Sequence, residues 1–280
     1  MDRLAKRYLR SRKIPGTTCS GCGLGQVHKK VLLAIEQLGL GTKDIVWGTG
    51  IGCAGRQIFN TWKGDNFAGT HGRVYALATG LRLALPEERK IILTAGDGDA
   101  FGIGLLHLLH CARRNLDVTV VVADNFGCQS TGGQYGCTTP RGYVTDSSPY
   151  GVREPGWLEN GLDILDMLRD AGATFLARHS SFEGQSAVDS CAQAIRHKGF
   201  SLVHFIYPCV THFGAVSLQS GDKARIFRWF EGLFRPEAGN SGDPRFRSGV
   251  YHDAGSSRPE FASSLKEWTR TVRREAAGRD

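Results

Sequence analysis

The sequence lacks any apolar run long enough to cross a membrane, and its basic N-terminal segment is not followed by the apolar stretch of a secretion signal. Internal repeats and long low-complexity segments are also absent from it. The hydrophobic content of 41% is ordinary for a globular protein and sufficient for a packed core. We therefore expect a cytoplasmic protein that has no contact with a membrane.

The sequence also lacks a nucleic-acid-binding motif, although its formal charge is +8 at pH 7. The surplus of basic residues lies near the two ends, which is typical of solvated segments or of surfaces that face a partner protein. We therefore predict no nucleic-acid partner, and we interpret residues 1–15 as a basic N-terminal arm with little core. The basic residues of the two ends are Arg3, Lys6, Arg7, Arg10, Arg12, Lys13, Arg270, Arg273 and Arg274.

Two short apolar runs enclose the most informative stretch of the chain. The first run ends at the Gly-Asp-Gly-Asp sequence of residues 96–99, a helical pattern of leucines follows, and the second run, Val118 to Val122, ends shortly before Asn125. This pattern predicts a βαβ unit with parallel, buried strands. Asp97 and Asn125 then follow adjacent strands, at the edge where open α/β sheets bind ligands. Their side-chain oxygens suit Mg²⁺ that also carries a phosphate ligand.

Apolar strands alternate with helical patterns over most of the chain, which predicts an α/β fold with a doubly wound parallel sheet. We place this domain at residues 16–214 and a C-terminal packing extension at residues 215–280. The segment Tyr143 to Pro155 has no periodicity and is predicted to be a long loop. The predicted elements outside the central stretch are helices over Val27–Leu38, Tyr75–Leu85, Trp157–Ala171, Phe182–His197 and Glu260–Ala277, and strands over Ile45–Trp47, Thr174–Ala177 and Leu202–Ile206.

The eight cysteines argue against a disulfide framework and for metal binding or redox chemistry, because the chain is long and has no secretion signal. Cys19 and Cys22 form a CxxC pair, Cys53 follows a glycine-rich turn after a predicted strand, and Cys209 follows another strand. Four thiolates can hold zinc or a [4Fe-4S] cluster, and spacing alone does not decide between them. The remaining cysteines, which we interpret as having no metal-binding role, are Cys111, Cys128, Cys137 and Cys191.

The Gly-Asp-Gly sequence at residues 96–98, followed after the next strand by Asn125, resembles the thiamine-diphosphate-binding pattern. Together with the cysteine motifs, three further motifs narrow the resemblance to the β subunits of 2-oxoacid:ferredoxin oxidoreductases: Thr131–Gln134, Thr138–Pro140 and Ser148–Gly151. The resemblance implies a thiamine-diphosphate-binding fold of the pyrophosphate type. It also implies CoA-dependent oxidative decarboxylation of a 2-oxoacid, with electrons passed through a [4Fe-4S] cluster to ferredoxin.

The resemblance further implies the ligands of each cofactor, with coenzyme A as the co-substrate. Mg²⁺ is implied to bind the side chains of Asp97 and Asn125 and the carbonyl of Gly127. The implied cluster ligands are Cys19, Cys22, Cys53 and Cys209. The residues implied to contact thiamine diphosphate are Ile51, Gly52, Cys53, Ala54, Gly96, Gly98, Asp99, Gln129, Ser130 and Thr131.

Three residues are implied to lie near the substrate: Arg56, Ser130 and His71. A guanidinium at position 56 pairs well with a second carboxylate, which favours 2-oxoglutarate as the substrate. However, the stretch Phe126–Ser130 departs from the Asn-Ile-Tyr-Gly-Met type of sequence that is usual in the family. Pyruvate and branched or aromatic 2-oxoacids therefore remain open.

Thiamine diphosphate needs a glutamate against its aminopyrimidine ring, and no glutamate of this chain can be assigned to that position. In the family the α subunit supplies it. We therefore expect an αβ heterodimer, or a dimer of such pairs, that reduces ferredoxin or a similar acceptor, with no catalytic residue assigned on this chain. Two alternatives stay open. One is a subunit of a non-redox thiamine-dependent 2-oxoacid decarboxylase, and the other is a zinc-stabilised protein whose basic ends bind nucleic acid.

Overall fold

The computed structural model of the protein describes residues 3–13, 16–148, 159–235 and 243–277. The strands in this part of the chain are β1 (Ile45–Thr49), β2 (Asp65–Ala68), β3 (Lys90–Gly96), β4 (Val118–Asp124), β5 (Phe175–Ser180), β6 (Phe200–Ile206) and β7 (Gly249–Asp253). They form one sheet in the order β2-β1-β3-β4-β6-β5-β7. Neighbouring strands are parallel except at one edge, where β7 runs antiparallel to β5.

Helices cover both faces of this sheet. The helices described are α1 (Arg3–Tyr8), α2 (Leu24–Gln37), α3 (Cys53–Thr61), α4 (Val74–Ala84), α5 (Leu105–Arg113), α6 (Ile164–Ala171), α7 (Gln185–Arg196), α8 (Lys223–Gly232) and α9 (Phe261–Ala277). One apolar core contains side chains of α1, α2, α3 and α7, and a second contains side chains of α4, α5 and α6. The predicted doubly wound sheet is therefore confirmed. None of the helices described is both long and apolar enough to span a membrane.

The central pair of strands positions the predicted metal ligands. All seven residues of β4 are buried, as expected for a parallel strand with helices on both faces. β3 lies directly beside β4, with Gly96 opposite Ala123. Asp97 and Asn125 therefore lie side by side beyond the carboxyl ends of β3 and β4, as the sequence predicts.

The N-terminal arm contributes more to the core than the sequence predicts. Leu4 and Tyr8 on α1 are buried, and the ring of Tyr8 stacks on Trp62 with a centroid separation of 6.1 Å. The prediction of little core in this segment is therefore wrong for these two residues. The sequence did not predict their burial, because charged residues dominate the arm.

Several element boundaries differ from the predicted ones. The helix predicted from Trp157 begins, in the described residues, at Ile164, because the carboxylate of Asp163 accepts a hydrogen bond from the Leu165 N–H and caps it. Most of the predicted loop from Tyr143 to Pro155 lies outside the described residues, as do Trp157 and part of the 148–151 motif.

The described part of the C-terminal extension packs against its own domain. Phe230 of α8 stacks on Phe126 with a centroid separation of 5.5 Å and an interplanar angle of 10°. β7 adds an edge strand to β5, and Ala262 of α9 is buried. The extension therefore supports both the sheet edge and the loop after β4.

One buried histidine gives a testable pH dependence of stability. His28 on α2 is 5% exposed, and neither ring nitrogen has a hydrogen-bond partner among the described residues. Burial lowers its pKa from 6.5 to about 3. The unfolded chain therefore binds a proton near pH 6.5 that the folded chain does not bind. The free energy of unfolding is consequently highest above that pH and decreases as the pH falls toward 3.

Replacing His28 by leucine should remove this contribution. Between pH 7 and pH 5, the wild-type free energy of unfolding is expected to fall by about 2 kcal/mol more than that of His28→Leu. Urea unfolding at the two pH values measures the difference. An identical pH dependence in both proteins would show that His28 gains its proton in the folded state as well.

Candidate functional site

Loops at the carboxyl ends of β1, β3, β4 and β6 surround one cleft. The structure brings together in it all the residues predicted to contact the thiamine cofactor and Mg²⁺, together with His71. It also places two residues there that sequence reasoning did not select, Cys128 and Tyr207. The residues that line the cleft are Ile51, Gly52, Cys53, Ala54, His71, Gly96, Asp97, Gly98, Asp99, Asn125, Gly127, Cys128, Gln129, Ser130, Thr131 and Tyr207.

Hydrogen bonds fix one of the two carboxylate oxygens of Asp97. Oδ2 accepts hydrogen bonds from the Gly127 N–H (2.7 Å) and from the Thr138 hydroxyl (2.8 Å). Oδ1 has no hydrogen bond to another described residue. Burial, and then the nearby Asp124 carboxylate, raise the pKa of Asp97 well above its ordinary range. The carboxylate is therefore in an environment where a bound cation would offset the cost of its charge.

Asn125 is oriented by Tyr207. The Asn125 Nδ2 donates to the Tyr207 hydroxyl at 2.7 Å, which leaves the side-chain carbonyl oxygen without a hydrogen bond to another described residue. The carbonyl of Gly127 accepts one hydrogen bond, from the Gln129 N–H at 3.0 Å, and has a second lone pair. With Asp97, three hard oxygen donors from the turns after β3 and β4 are therefore available at the cleft.

The turn after β4 requires glycine at one position. Phe126 and Gly127 both have positive φ angles, of 65° and 144°. A Cβ atom on Gly127 would lie 2.5 Å from the carbonyl oxygen of Gln134, which no real side chain tolerates. Glycine at this position therefore lets the backbone fold tightly enough to turn the Gly127 carbonyl and N–H toward Asp97.

Asp99 accepts hydrogen bonds from two other loops at the cleft. Its Oδ1 accepts hydrogen bonds from the Ile51 N–H (3.1 Å) and the Gly72 N–H (2.9 Å), and it lies 3.5 Å from the His71 Nε2. Its Oδ2 is buried without a partner among the described residues. Burial raises the pKa of Asp99. This unpaired oxygen marks a place where a bound ligand would supply a hydrogen-bond donor or positive charge.

A backbone hydrogen bond joins the two loops that carry three of the four predicted cluster ligands. The Cys22 N–H donates to the Cys19 carbonyl at 3.0 Å, and the next residue, Gly23, donates to Pro208 at 3.1 Å, which joins the CxxC segment to the Cys209 loop. Burial, with smaller contributions from the thiols of Cys209, Cys53 and Cys19, raises the pKa of Cys22 to about 12. Cys53 begins α3, directly after the cleft residue Gly52.

These thiols do not surround a single ion. No three His, Cys, Asp or Glu side chains among the described residues are grouped so that they could hold one metal ion. Sulfurs of a tetrahedral zinc site lie about 3.8 Å apart, because each Zn–S bond is about 2.3 Å. The arrangement therefore does not match a single-ion zinc site.

Tyr207 connects the thiols to the cleft. Its side chain is 1% exposed. Burial raises its pKa well above the ordinary value, with further contributions from Cys22, Cys53, Cys209 and Asp97. Its hydroxyl lies at the cleft, where it accepts the hydrogen bond from Asn125, and its backbone is two residues before Cys209. Only its place directly after an apolar strand and before Pro-Cys hinted at this position.

The predicted substrate residues lie in two places. His71 and Ser130 line the cleft. Arg56 is exposed on α3 and lines an adjacent surface depression together with Ile51, Gly52 and Phe59. Since Ile51 and Gly52 belong to both, the depression opens at the rim of the cleft rather than inside it.

Comparisons with known proteins agree on one family. Residues 50–205 match the family model described as thiamine pyrophosphate enzyme, C-terminal TPP binding domain. The chain is 37% identical over 215 residues to the 2-oxoglutarate synthase subunit KorB of Methanocaldococcus jannaschii, which covers 77% of each protein. It is 35% identical over 194 residues to subunit beta of 2-oxoacid:ferredoxin oxidoreductase 2 of Aeropyrum pernix, which covers 69% of this chain and 60% of that subunit.

A solved structure supports the same assignment. The 2-oxoglutarate:ferredoxin oxidoreductase of Magnetococcus marinus, with 2-oxoglutarate, coenzyme A and succinyl-CoA bound, superposes with a TM-score of 0.79 and 26% identity, covering 96% of this chain and 90% of that one. The likeness therefore extends over almost the whole chain. The chain belongs to the family of β subunits of 2-oxoacid:ferredoxin oxidoreductases, and is a subunit of an enzyme that requires a partner α subunit.

Proposed function

We propose that this chain is the thiamine-diphosphate and iron–sulfur subunit of a CoA-dependent 2-oxoacid:ferredoxin oxidoreductase that acts on 2-oxoglutarate. The observation that supports the proposal is that Cys53 lines the cleft that contains Asp97 and Asn125, while the two loops that carry Cys19, Cys22 and Cys209 are joined by a backbone hydrogen bond. A non-redox thiamine enzyme has no use for four thiolates beside its cofactor. The nucleic-acid-binding alternative does not explain the cleft.

The oxygen donors of the cleft fit Mg²⁺ with a diphosphate. Three oxygens would bind the ion: Asp97 Oδ1, the side-chain oxygen of Asn125 and the Gly127 carbonyl. In Asp97 the other oxygen, Oδ2, already accepts two hydrogen bonds, and in Asn125 the Nδ2 already donates to Tyr207. This leaves the other coordination positions of Mg²⁺ for phosphate and water. Thiamine diphosphate, once bound, would supply the carbanion chemistry. Asp99 and Gln129 each have one buried oxygen without a partner among the described residues, and these oxygens would accept hydrogen bonds from the cofactor.

We infer that the four thiols bind an iron–sulfur cluster instead of a single ion. A [4Fe-4S] cube is bulkier than one ion and separates its thiolate ligands more widely, so it does not require the described thiols to be grouped around one point. Metal binding would also remove the thiol protons, and so offset the raised pKa values that burial causes at Cys22 and Cys53. The cluster would supply one-electron storage next to the cofactor.

The chain supplies only part of the active site. No glutamate lines the cleft within the described residues. The residue that activates the aminopyrimidine ring is therefore assigned to an α subunit, which makes the enzyme an αβ heterodimer. Coenzyme A is the second substrate in this proposal, in line with the ligands of the Magnetococcus marinus enzyme. Ferredoxin is the proposed electron acceptor.

Anaerobic co-purification of both subunits, followed by a panel of 2-oxoacids with coenzyme A and ferredoxin, tests the proposal. We expect ferredoxin reduction that depends on coenzyme A and is fastest with 2-oxoglutarate. Decarboxylation without ferredoxin reduction would instead support the non-redox enzyme. Zinc without thiamine diphosphate, together with salt-sensitive DNA binding, would support the nucleic-acid-binding alternative.

Arg56 provides a test of substrate choice. If its guanidinium pairs with the distal carboxylate of 2-oxoglutarate, then Arg56→Met should raise the KM for that substrate by about tenfold, because a charge-assisted hydrogen bond contributes about 1.5 kcal/mol or more. The KM for pyruvate, which has no distal carboxylate, should change less than about twofold. Arg225→Met, an exposed arginine on α8, is the control. Equal changes for both acids would remove Arg56 from the specificity argument.

A further inference from the structure

A buried chain of hydrogen bonds lies behind Asp97. The Thr138 Oγ1 is 2.8 Å from Asp97 Oδ2 and 3.0 Å from Asp124 Oδ1. The other oxygen of Asp124, Oδ2, is 3.0 Å from the His204 Nε2. None of these four side chains is more than 4% exposed, so each must find its hydrogen bonds within the protein. The family motif accounts for Asp97 but not for Asp124 or His204.

The neighbour of His204 fixes which ring nitrogen carries the proton. The Arg178 Nε donates to the His204 Nδ1 at 3.1 Å, and a guanidinium has no acceptor, so Nδ1 must present its lone pair. Burial, and then the Arg178 charge, lower the pKa of His204 well below its ordinary value. The neutral ring therefore carries its proton on Nε2 and donates it to Asp124. Arg178 is held in turn by Asp163, with a closest contact of 2.5 Å.

Two carboxylates compete for the single hydroxyl proton of Thr138. Asp124 has two donors of its own, the Phe126 N–H on Oδ1 at 2.9 Å and the His204 N–H on Oδ2. Asp97 has one other donor, the Gly127 N–H. Because His204 satisfies Asp124, the Thr138 proton is available to Asp97. Two donors then fix Oδ2 and hold Oδ1 toward the cleft.

We propose that His204 is a positioning residue for the magnesium–diphosphate site: by donating to Asp124 it leaves the Thr138 hydroxyl to Asp97. This inference rests on the proposed function, since it assigns Asp97 to Mg²⁺. Without the His204 donor, Asp124 takes the Thr138 proton, and the Asp97 carboxylate loses one of the two bonds that orient it.

The test is the affinity of the anaerobically purified αβ complex for thiamine diphosphate, measured by calorimetry at several Mg²⁺ concentrations. Loss of a residue that orients a metal ligand typically costs 10- to 100-fold in affinity, so His204→Leu is expected to weaken binding by about tenfold. His204→Gln, whose amide can donate from near the Nε2 position, should restore most of it. Failure of the wild-type complex to bind thiamine diphosphate would count against the proposed function, not against this inference.

A double-mutant cycle separates positioning from general destabilisation. Thr138→Val should weaken binding by about tenfold alone, and adding His204→Leu should cause little further loss, because both act through the same hydroxyl proton. His179→Leu is the matched control, since His179 is equally buried and bonded to the Glu183 carboxylate but has no link to Asp97. Wild-type affinity in His204→Leu, or fully additive losses, would overturn the proposal.

If His204→Leu does not fold, His204→Asn replaces it. The shorter amide cannot reach Asp124 from the Nε2 position, so its affinity should fall below that of His204→Gln. Equal affinities in the two amide variants would overturn the proposal in the same way.

Discussion

Cys209→Ser is expected to yield an αβ complex that has lost its iron–sulfur cluster, with iron, acid-labile sulfide and broad visible absorbance all reduced by about the content of one cluster. Cys209 is buried, and the residue before it, Pro208, accepts the hydrogen bond from Gly23 that joins the loop after β6 to the CxxC segment. A hydroxyl is a far poorer ligand for iron than a thiolate, and cluster binding needs all four positions. Thiamine diphosphate binding should stay within about threefold of wild type, because Asp97 and Asn125 remain in place.

Matched controls separate cluster binding from the effect of removing a buried thiol. Cys191 and Cys111 are as buried as Cys209, but they lie on α7 and α5, within the apolar cores. Cys191→Ala and Cys111→Ala should keep the full iron and sulfide content. If Cys209→Ser keeps its iron as well, the assignment of the four cluster ligands is wrong.

Asp97→Asn is expected to weaken Mg²⁺-dependent binding of thiamine diphosphate by about 100-fold or more. The two donors on Oδ2, from Gly127 and Thr138, would select the amide oxygen of the new side chain. Its NH₂ group would then face the position of the ion and repel it, besides the loss of one negative charge. Since loss of a residue that only orients a ligand costs 10- to 100-fold, loss of a ligand itself should cost at least the upper value.

The control for this variant is a second buried aspartate, next to the neighbouring strand. Asp117 lies just before β4, at the opposite end from the cleft, and its Oδ2 lies 4.0 Å from the Arg82 guanidinium. Asp117→Asn should leave thiamine diphosphate affinity unchanged. Calorimetry on both complexes measures the difference, and iron content should be normal in each. Unchanged cofactor affinity in Asp97→Asn would exclude Asp97 as a magnesium ligand.

The parallel sheet could be predicted because its central strands carry an unmistakable pattern. β3 and β4 are mostly apolar, since helices cover both of their faces, and such runs bounded by polar turns indicate buried strands. β2 and β7 were not predicted, because they are short and half-exposed edge strands with no apolar run. α3 was missed because its first turn contains glycine and cysteine, which are poor helix formers.

That the proposed cofactor residues share one cleft could be predicted because they lie in short local motifs. Asp97, Asn125 and the flanking glycines are close in sequence to the strand ends that position them. The grouping of Cys19, Cys22, Cys53 and Cys209, by contrast, came from the family resemblance, since spacing alone also permits zinc.

The supporting residues could not be predicted, because their contacts depend on strand order. Asp124 and His204 meet only because β4 lies beside β6 instead of β5, in a register that pairs Val122 with His204. Nothing local in the sequence encodes that neighbour. Tyr207 is a similar case, since its partner Asn125 is 82 positions away.

The central claim is that a thiamine cofactor and an iron–sulfur cluster lie side by side on this chain. Its most direct test is the visible spectrum of the anaerobic αβ complex, recorded before and after adding 2-oxoglutarate and coenzyme A without ferredoxin. We expect the substrate to bleach the iron–sulfur absorbance of the wild-type complex and to leave the Cys209→Ser complex unchanged. A wild-type complex that decarboxylates the substrate with no spectral change, or that contains zinc in place of iron, would contradict the account.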